Sequence, residues 1–350
     1  MSVETAIKAD VVSIDDILSH TVQTRSVTDA KIARIRAVTG RLRMLALNAM
    51  IEATQAGSNG RGFAVVANEV RGISTEVEAL SGDLAKELVG EIALLETMTR
   101  RMATEARGSR LLDLALNAIE LIDRNLYERT CDVRWWATDS AVVDCLSAPS
   151  EAAEAFASSR LGVILDAYTV YLDIWLCDLN GRVVANGRPG RYSVAGRSVA
   201  DRPWFAAAQR LRDGNEYTVA DIATESSLAG AQVATYATGV RAGGQADGKL
   251  LGILAVHFDW EPQARTIVEG VRLSDDEKKK TRVLLTDRSG RIIAASDGQG
   301  ILRETLRLDT GGKAFGFYPT PQGDLIAFHH TPGYETYRGL GWHGVIVQKP

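Results

Sequence analysis

The side chains best suited to gripping another protein lie between residues 45 and 71, around the glycine-dense break Gly57-Ser58-Asn59-Gly60-Arg61-Gly62. Ile51, Phe63 and Val66 offer apolar surface, and Asn48, Glu52, Gln55 and Arg61 supply the polar rim that gives such a contact specificity. Ala46, Ala49, Ala53 and Ala56 are small enough to let two helices approach closely. Bond-making chemistry is not legible. There is no Ser-His-Asp set and no paired-carboxylate motif, and the glycines follow a helical pattern rather than a strand, as a phosphate-cradling loop would require. The three cysteines, Cys131, Cys145 and Cys177, have neither metal-ligand nor redox spacing. They read as buried small hydrophobes in a reducing compartment.

The elements that hold the break in place are two helices. Phe63, Val66, Val70, Ile73, Val77, Leu80 and Leu84 recur in alternating steps of three and four, and Leu88, Ile92, Leu95, Met98 and Met102 continue the stripe. Upstream, Ile32, Ile35, Val38, Leu42, Leu45 and Ala49 give a matching seam. Glycine supplies the positive φ of a tight reversal, so the pattern predicts an antiparallel hairpin with these seams facing each other. Its arms would cover about residues 11–56 and 62–126, the first running roughly 70 Å.

Composition changes near residue 126. All eight prolines, all six tryptophans and all nine tyrosines lie beyond it. An internal repeat follows: Ile174–Ala185 aligns with Val283–Ala294, each copy reading strand, Asp-x-x-Gly turn, strand. A second echo sets Leu251–Val256 against Leu340–Val345. Two similar α+β modules in tandem are predicted, joined by a polar surface segment, Ser274–Lys280. An amphipathic helix carrying Leu111, Leu114, Ile119, Leu121, Ile122 and Leu126 leads into them from the second arm.

The stretches Leu45–Gly57 and Gly60–Arg71 closely resemble the tip of methyl-accepting chemotaxis proteins over about 27 residues. The resemblance implies a dimeric four-helix bundle whose tip binds a chemotaxis histidine kinase and its coupling protein, with Asn48, Ile51, Glu52, Gln55, Arg61, Phe63 and Val66 as contact residues. It also implies that dimers meet there as trimers. Gln55 stands where the family has Arg, which weakens a charge contact with Glu52 of a neighbouring dimer. Ser58-Asn59 replaces Glu-Gln. Glu76, Glu78 and Glu87 do not form the flanked pairs used for methylation, so no methylation-based adaptation is expected.

The long helix with two strand-turn-strand modules, over about residues 110–350, resembles a double Cache sensor built of PAS-like units. Asp201-Arg202-Pro203-Trp204-Phe205 looks like that family's ligand strip. By this resemblance the chain is α+β: a signalling hairpin over 1–106, a long helix with the distal, ligand-binding module over 107–262, and a proximal module over 263–350. Arg202 would hold a carboxylate or ring carbonyl, while Trp204 and Phe205 would wall the pocket. Tyr217, His257 and Asp259 complete the expected set. The amino-acid-binding version has Tyr where Arg197 stands and Asp where His257 stands, so an anionic or heterocyclic ligand is expected at least as readily as an amino acid.

The formal net charge of −4 excludes the broadly basic surface that nucleic acid or anionic lipid would select. No stretch reads as a membrane span or secretory signal, and Leu250–Val256 is only strand-length. The reading is therefore a cytoplasmic, homodimeric receptor that is not an enzyme and needs no cofactor. Two alternatives stand beside it: a ligand-independent scaffold of the receptor array, and a haem- or flavin-bound redox or gas sensor using His257, His329 or His330.

Overall fold

The computed structural model describes residues 14–350. Helix α1 spans Ile14–Gln55, and a 3-10 turn over Gly57–Gly60 delivers the chain into α2, Arg61–Trp136. The expected start of the first arm at residue 11 lies outside the described residues. The chain forms two compact units, one up to Arg107 and one from Gly108 onward, and α2 contributes to both.

In the first unit the two expected seams do not face each other. Of their residues only Ile32 and Ile92 are buried; Phe63 is 74% exposed and Leu80 68%. The buried positions are small: Thr39, Ala46, Ala53, Gly60, Ala67, Ser74 and Ser81, every seventh residue across the turn. Ala53 and Ala67, Ala46 and Ser74, and Thr39 and Ser81 each stand equidistant in sequence from Gly60. An ion pair between Arg43 and Glu78 (3.1 Å) bridges the arms. The small heptad positions thus meet inside the hairpin, and the large apolar stripe is left on its outside. Ala49 and Ala56, expected at close approaches, are exposed.

The second unit is built on α2 from Gly108 to Trp136, ten residues beyond the expected end of the helix. Leu111, Ile119, Ile122 and Leu126 are buried in one cluster with Ile174 and Val256 of one module and Val283 and Ile346 of the other. Leu121, read as part of that face, is 46% exposed. Short helices α3 (Ser140–Ser147) and α4 (Glu151–Ala167) follow, capped by Asp139 and Ser150, whose side chains accept from the backbone N–H groups of Ala141 and Ala153.

The first sheet comprises β1 (Tyr171–Asp178), β2 (Val183–Asn186), β3 (Thr218–Glu225), β4 (Ala231–Arg241) and β5 (Leu250–Asp259). Helix α5 (Pro203–Ala208) packs on one face, and α6 (Trp260–Glu269) and α7 (Asp275–Lys280) lead onward. The second sheet comprises β6 (Thr281–Thr286), β7 (Ile292–Ala295), β8 (Phe315–Pro319), β9 (Leu325–His330) and β10 (His343–Gln348). Their antiparallel orders, β2-β1-β5-β4-β3 and β7-β6-β10-β9-β8, are the same, so the sequence repeat is a structural one.

The repeated Asp-x-x-Gly turns share the same backbone hydrogen bonds. Asp178 Oδ1 accepts from the backbone of Asn180 and Arg182, and Asp287 Oδ1 accepts from Ser289 and Arg291. Gly181 and Gly290 hold φ of +81° and +83°. The second echo differs by one residue from the pairing that the sequence suggests: Ala255 faces Trp175 and Val345 faces Leu284, so Ala255 and Val345 are the equivalent pair. A one-residue slip exchanges the faces of a strand.

The polar segment Ser274–Lys280 lies at the surface and forms the short helix α7 with Ser274 as its cap. Ser274 and Glu277 form a capping box, acids fill the first turn, and lysines fill the last. Glu277 also pairs with Arg110 of α2, which draws its carboxyl down to about 2. Among the described residues no helix is long and apolar enough to cross a membrane.

Candidate functional sites

Two surfaces carry the residues singled out above. At the hairpin turn, Asn48, Ile51, Glu52, Gln55, Arg61, Phe63 and Val66 are all exposed. Gly57 turns the chain with φ +59°, and Gly60 lies against α1, where a Cβ would stand 2.0 Å from the Ala53 carbonyl oxygen. Ala53 and Gly60 therefore fill the interior of the bend, and the larger side chains have no room there. The outward face combines three large apolar groups with a polar rim.

The second surface is the face of the first sheet beneath α5. Pro203 at the helix start fixes its entry, and Trp204 and Phe205 are buried against Trp175, Ile253 and Ala255. His257 on β5 is 1% exposed. Its ring lies 3.9 Å from that of Trp175 and 6.1 Å from that of Trp204, centroid to centroid. Thr235 Oγ1 sits 3.1 Å from its Nδ1, while Nε2 is buried without a hydrogen-bond partner. Burial, aided by the charge of Arg202, holds the imidazole neutral down to about pH 3. Asp259 is half-buried at the end of the same strand, and burial raises its carboxyl pKa.

Arg202 is only partly covered, and its Nη2 donates to Glu225 Oε1 at 3.2 Å. Glu225 was not legible as a site residue; it closes β3 and is buried. Three further polar groups were also missed. Asp173 is fully buried and accepts from the Trp175 indole (3.1 Å), the Asn186 amide (2.8 Å) and the backbone of Ile174 and Arg188. Arg188 in turn donates to the carbonyls of Leu165, Tyr171 and Leu172. The signal was available, since a carboxylate inside the apolar run Tyr171–Cys177 must be a satisfied buried group.

Tyr217 is not at this surface. It lies on the opposite face of the sheet, beside Tyr236 and under the Arg134 guanidinium (5.5 Å). Arg197 is exposed and donates to Ser227 Oγ at 3.3 Å. Of the cysteines, Cys145 and Cys177 are buried as expected, whereas Cys131 is half-exposed. His329 stacks on Phe315, and His330 meets His343 edge-on. Clefts of about 340, 450 and 360 Å³ open elsewhere in this unit, and none is lined by Arg202, Trp204, Phe205, His257, His329 or His330.

Two buried carboxylates fasten α2 to the modules. Asp132 accepts from Tyr171 Oη at 2.5 Å and pairs with Arg129, which lies over the Tyr171 and Phe258 rings. Asp123 accepts from Thr331 Oγ1 (2.5 Å) and the Gly333 N–H (2.8 Å) in the second module.

Two family profiles match the chain. The methyl-accepting chemotaxis protein (MCP) signalling domain covers residues 3–128, and the Cache domain covers residues 78–350. Methyl-accepting chemotaxis protein McpS of Pseudomonas putida is 45% identical over 78 residues, 22% of this chain and 12% of that protein. Biofilm dispersion protein BdlA of Pseudomonas aeruginosa is 31% identical over 121 residues, 35% of this chain and 27% of that protein. The chain thus spans about a quarter or less of the length of these relatives. Among solved structures, the sensory domain of the Campylobacter jejuni chemoreceptor Tlp3 superposes with a TM-score of 0.53 at 15% identity, covering 70% of this chain and 94% of that one. At that identity the likeness establishes the fold alone.

Proposed function

Since the chain belongs to the Cache domain family and carries an MCP signalling domain ahead of its Cache domain, we propose that it is a chemoreceptor-like transducer that controls a chemotaxis histidine kinase through the hairpin turn. The observation that carries this reading is the composition of that turn. Its interior is closed by Ala53 and Gly60, while Ile51, Phe63 and Val66 stand 49%, 74% and 61% exposed inside a polar rim. Apolar groups held out in this way suit a partner, here the kinase and its coupling protein, in the cytoplasm where these act. The large apolar stripe on the outside of the hairpin supports a homodimer, in which a second hairpin would cover it.

Changing Phe63 to Asp in the full-length chain is expected to reduce its effect on kinase autophosphorylation at least tenfold. The helix content and melting temperature should stay unchanged, because the ring is solvent-facing. The assay combines purified chain, kinase and coupling protein. An unmodified chain that neither co-sediments with them nor alters the phosphorylation rate would sink the proposal.

On the sensing side, the Cache face formed by Arg202, Trp204, Phe205 and His257 is the candidate ligand surface. Arg202 and the unpaired His257 Nε2 suit an anionic or heterocyclic small molecule. Such a ligand would replace Glu225 on the Arg202 fork. Asp132 and Asp123 would pass the resulting shift of either module to α2, which continues into the hairpin.

One observation favours a second reading, the ligand-independent scaffold: the fork of Arg202 is already occupied, and the rings beneath it are tightly packed. A melting-temperature screen against organic acids and heterocycles separates the two. A ligand that binds only the folded chain at 100 times its Kd adds about 2.7 kcal/mol, and a shift of several degrees is the result expected for the sensor. A flat screen supports the scaffold.

A further inference from the structure

A cleft of about 450 Å³ opens on the first module away from the Arg202 surface, with the end of α2 as one wall. Cys131, Arg134 and Trp135 come from the helix; Gly239 and Arg241 of β4 come from the sheet. The volume suits a small ligand. Its charge is unbalanced. Arg241 is 9% exposed, with Nη1 and Nη2 donating to the carbonyls of Gly248 (3.0 Å) and Leu211 (2.8 Å), and its Nε is buried with no partner. Arg134 donates to the carbonyls of Thr130 (2.8 Å) and Asn215 (3.2 Å). Among the described residues neither guanidinium forms an ion pair. Glu216, whose carboxylate feels Arg241, is held instead by the side chain and backbone N–H of Arg212.

A covered guanidinium surrounded only by neutral acceptors keeps most of its desolvation cost. Arg241, so covered, and the partly covered Arg134 line one cleft and make it a place for a negative charge. Gly239 packs closely beside Arg241: a Cβ there would lie 2.6 Å from Leu250 Cδ1 and 3.7 Å from Arg241 Nε. Trp135, 69% exposed at the rim, offers a flat apolar face. We propose that this cleft is a second binding site, for a small organic anion with a planar or apolar body. Its occupant would touch α2 directly, at Cys131, Arg134 and Trp135, without passing through the Arg202 surface.

Cys131 reports on the cleft. It is the half-exposed cysteine; Cys145 and Cys177 are buried, and burial raises the Cys145 thiol to about 11 and the Cys177 thiol further. The full-length chain is alkylated with iodoacetate or with neutral iodoacetamide, and the peptide bearing Cys131 is quantified by mass spectrometry. In both reactions the thiol first gives its proton to water. The sulfur then forms an S–C bond as the C–I bond breaks and iodide leaves. Any influence of Arg134 on the thiol is common to both reagents and cancels in the ratio of rates.

The iodoacetate-to-iodoacetamide ratio is expected to be about tenfold higher in the folded chain than in the same chain in urea. Arg134→Gln should bring it most of the way back, and 10 mM benzoate should slow both reagents. Trp135→Ala should keep the iodoacetate preference but weaken protection by benzoate. A ratio equal to that in urea overturns the proposal. So does a raised ratio that Arg134→Gln leaves unchanged while circular dichroism shows that variant folded, or an absence of protection by benzoate.

Discussion

Gly60→Ala is expected to open the hairpin turn and abolish control of the kinase. The added methyl would stand 2.0 Å from the Ala53 carbonyl oxygen and 2.8 Å from its carbon. Both are backbone atoms, so no rotamer relieves the overlap, and the end of α1 must move. A cost of about 3 kcal/mol is expected, the upper range for overpacked sites. Neighbouring glycines provide the scale. Gly57 has open space around it but φ of +59°, so Gly57→Ala should cost about 1–2 kcal/mol. Gly62 is helical, with nothing within 4 Å, so Gly62→Ala should be neutral or stabilising by up to about 1 kcal/mol. Amide exchange over residues 46–67 of the full-length chain measures the order. A Gly60→Ala chain as protected as Gly62→Ala would remove the close approach from the account of the tip.

The second large effect concerns acid. His257 has an ordinary pKa of 6.5 that burial lowers to about 3 in the folded chain. Below pH 6.5 the unfolded chain therefore binds a proton that the folded chain refuses. Stability attributable to this group is complete above about pH 7 and falls as pH drops toward 3, at up to about 1.4 kcal/mol per unit. Between pH 7 and pH 5 the loss is about 2 kcal/mol. Asp123, Asp132 and Asp173 act oppositely, because burial raises their pKa values and the folded chain takes up their protons first. The His257 contribution is thus isolated by comparing the wild-type chain with His257→Gln in urea titrations of the Cache unit at both pH values. The variant should be less stable at pH 7 and should lose about 2 kcal/mol less on acidification. Parallel losses in the two chains would show that the imidazole is protonated inside the fold.

Much of this architecture was visible in the residue pattern. The glycine-dense break marked the reversal, and the repeated Asp-x-x-Gly turns marked two modules, because each demands a backbone conformation that few residues supply. The facing of the large apolar seams is not legible in the sequence, for a physical reason. Spacing reveals that a helix has an apolar stripe, but not which neighbour the stripe faces. Here the arms meet through small residues: Ala46 and Ala53, which stand out in the sequence as sites of close approach, and Thr39, Ala67 and Ser74, which a search for large apolar stripes passes over. The candidate ligand surface was partly legible. Arg202, Trp204, Phe205 and His257 do share one face, whereas Tyr217 immediately precedes β3 and its side could not be fixed by alternation alone. Glu225 and Arg188 serve the interior through contacts far apart in sequence, which no local pattern encodes, whereas Asp173 is legible as a carboxylate inside the apolar run of β1.

The mirror-like spacing about Gly60 also sets a rule for how the chain's length can change. Deleting seven residues from α1 alone would leave each remaining layer beyond the deletion facing a residue one period out of step. Removing seven from each arm at matched distances would shorten the hairpin by roughly 10 Å and preserve every facing pair. Viable variants of different reach should therefore arise through paired deletions and insertions, with the bend itself held constant.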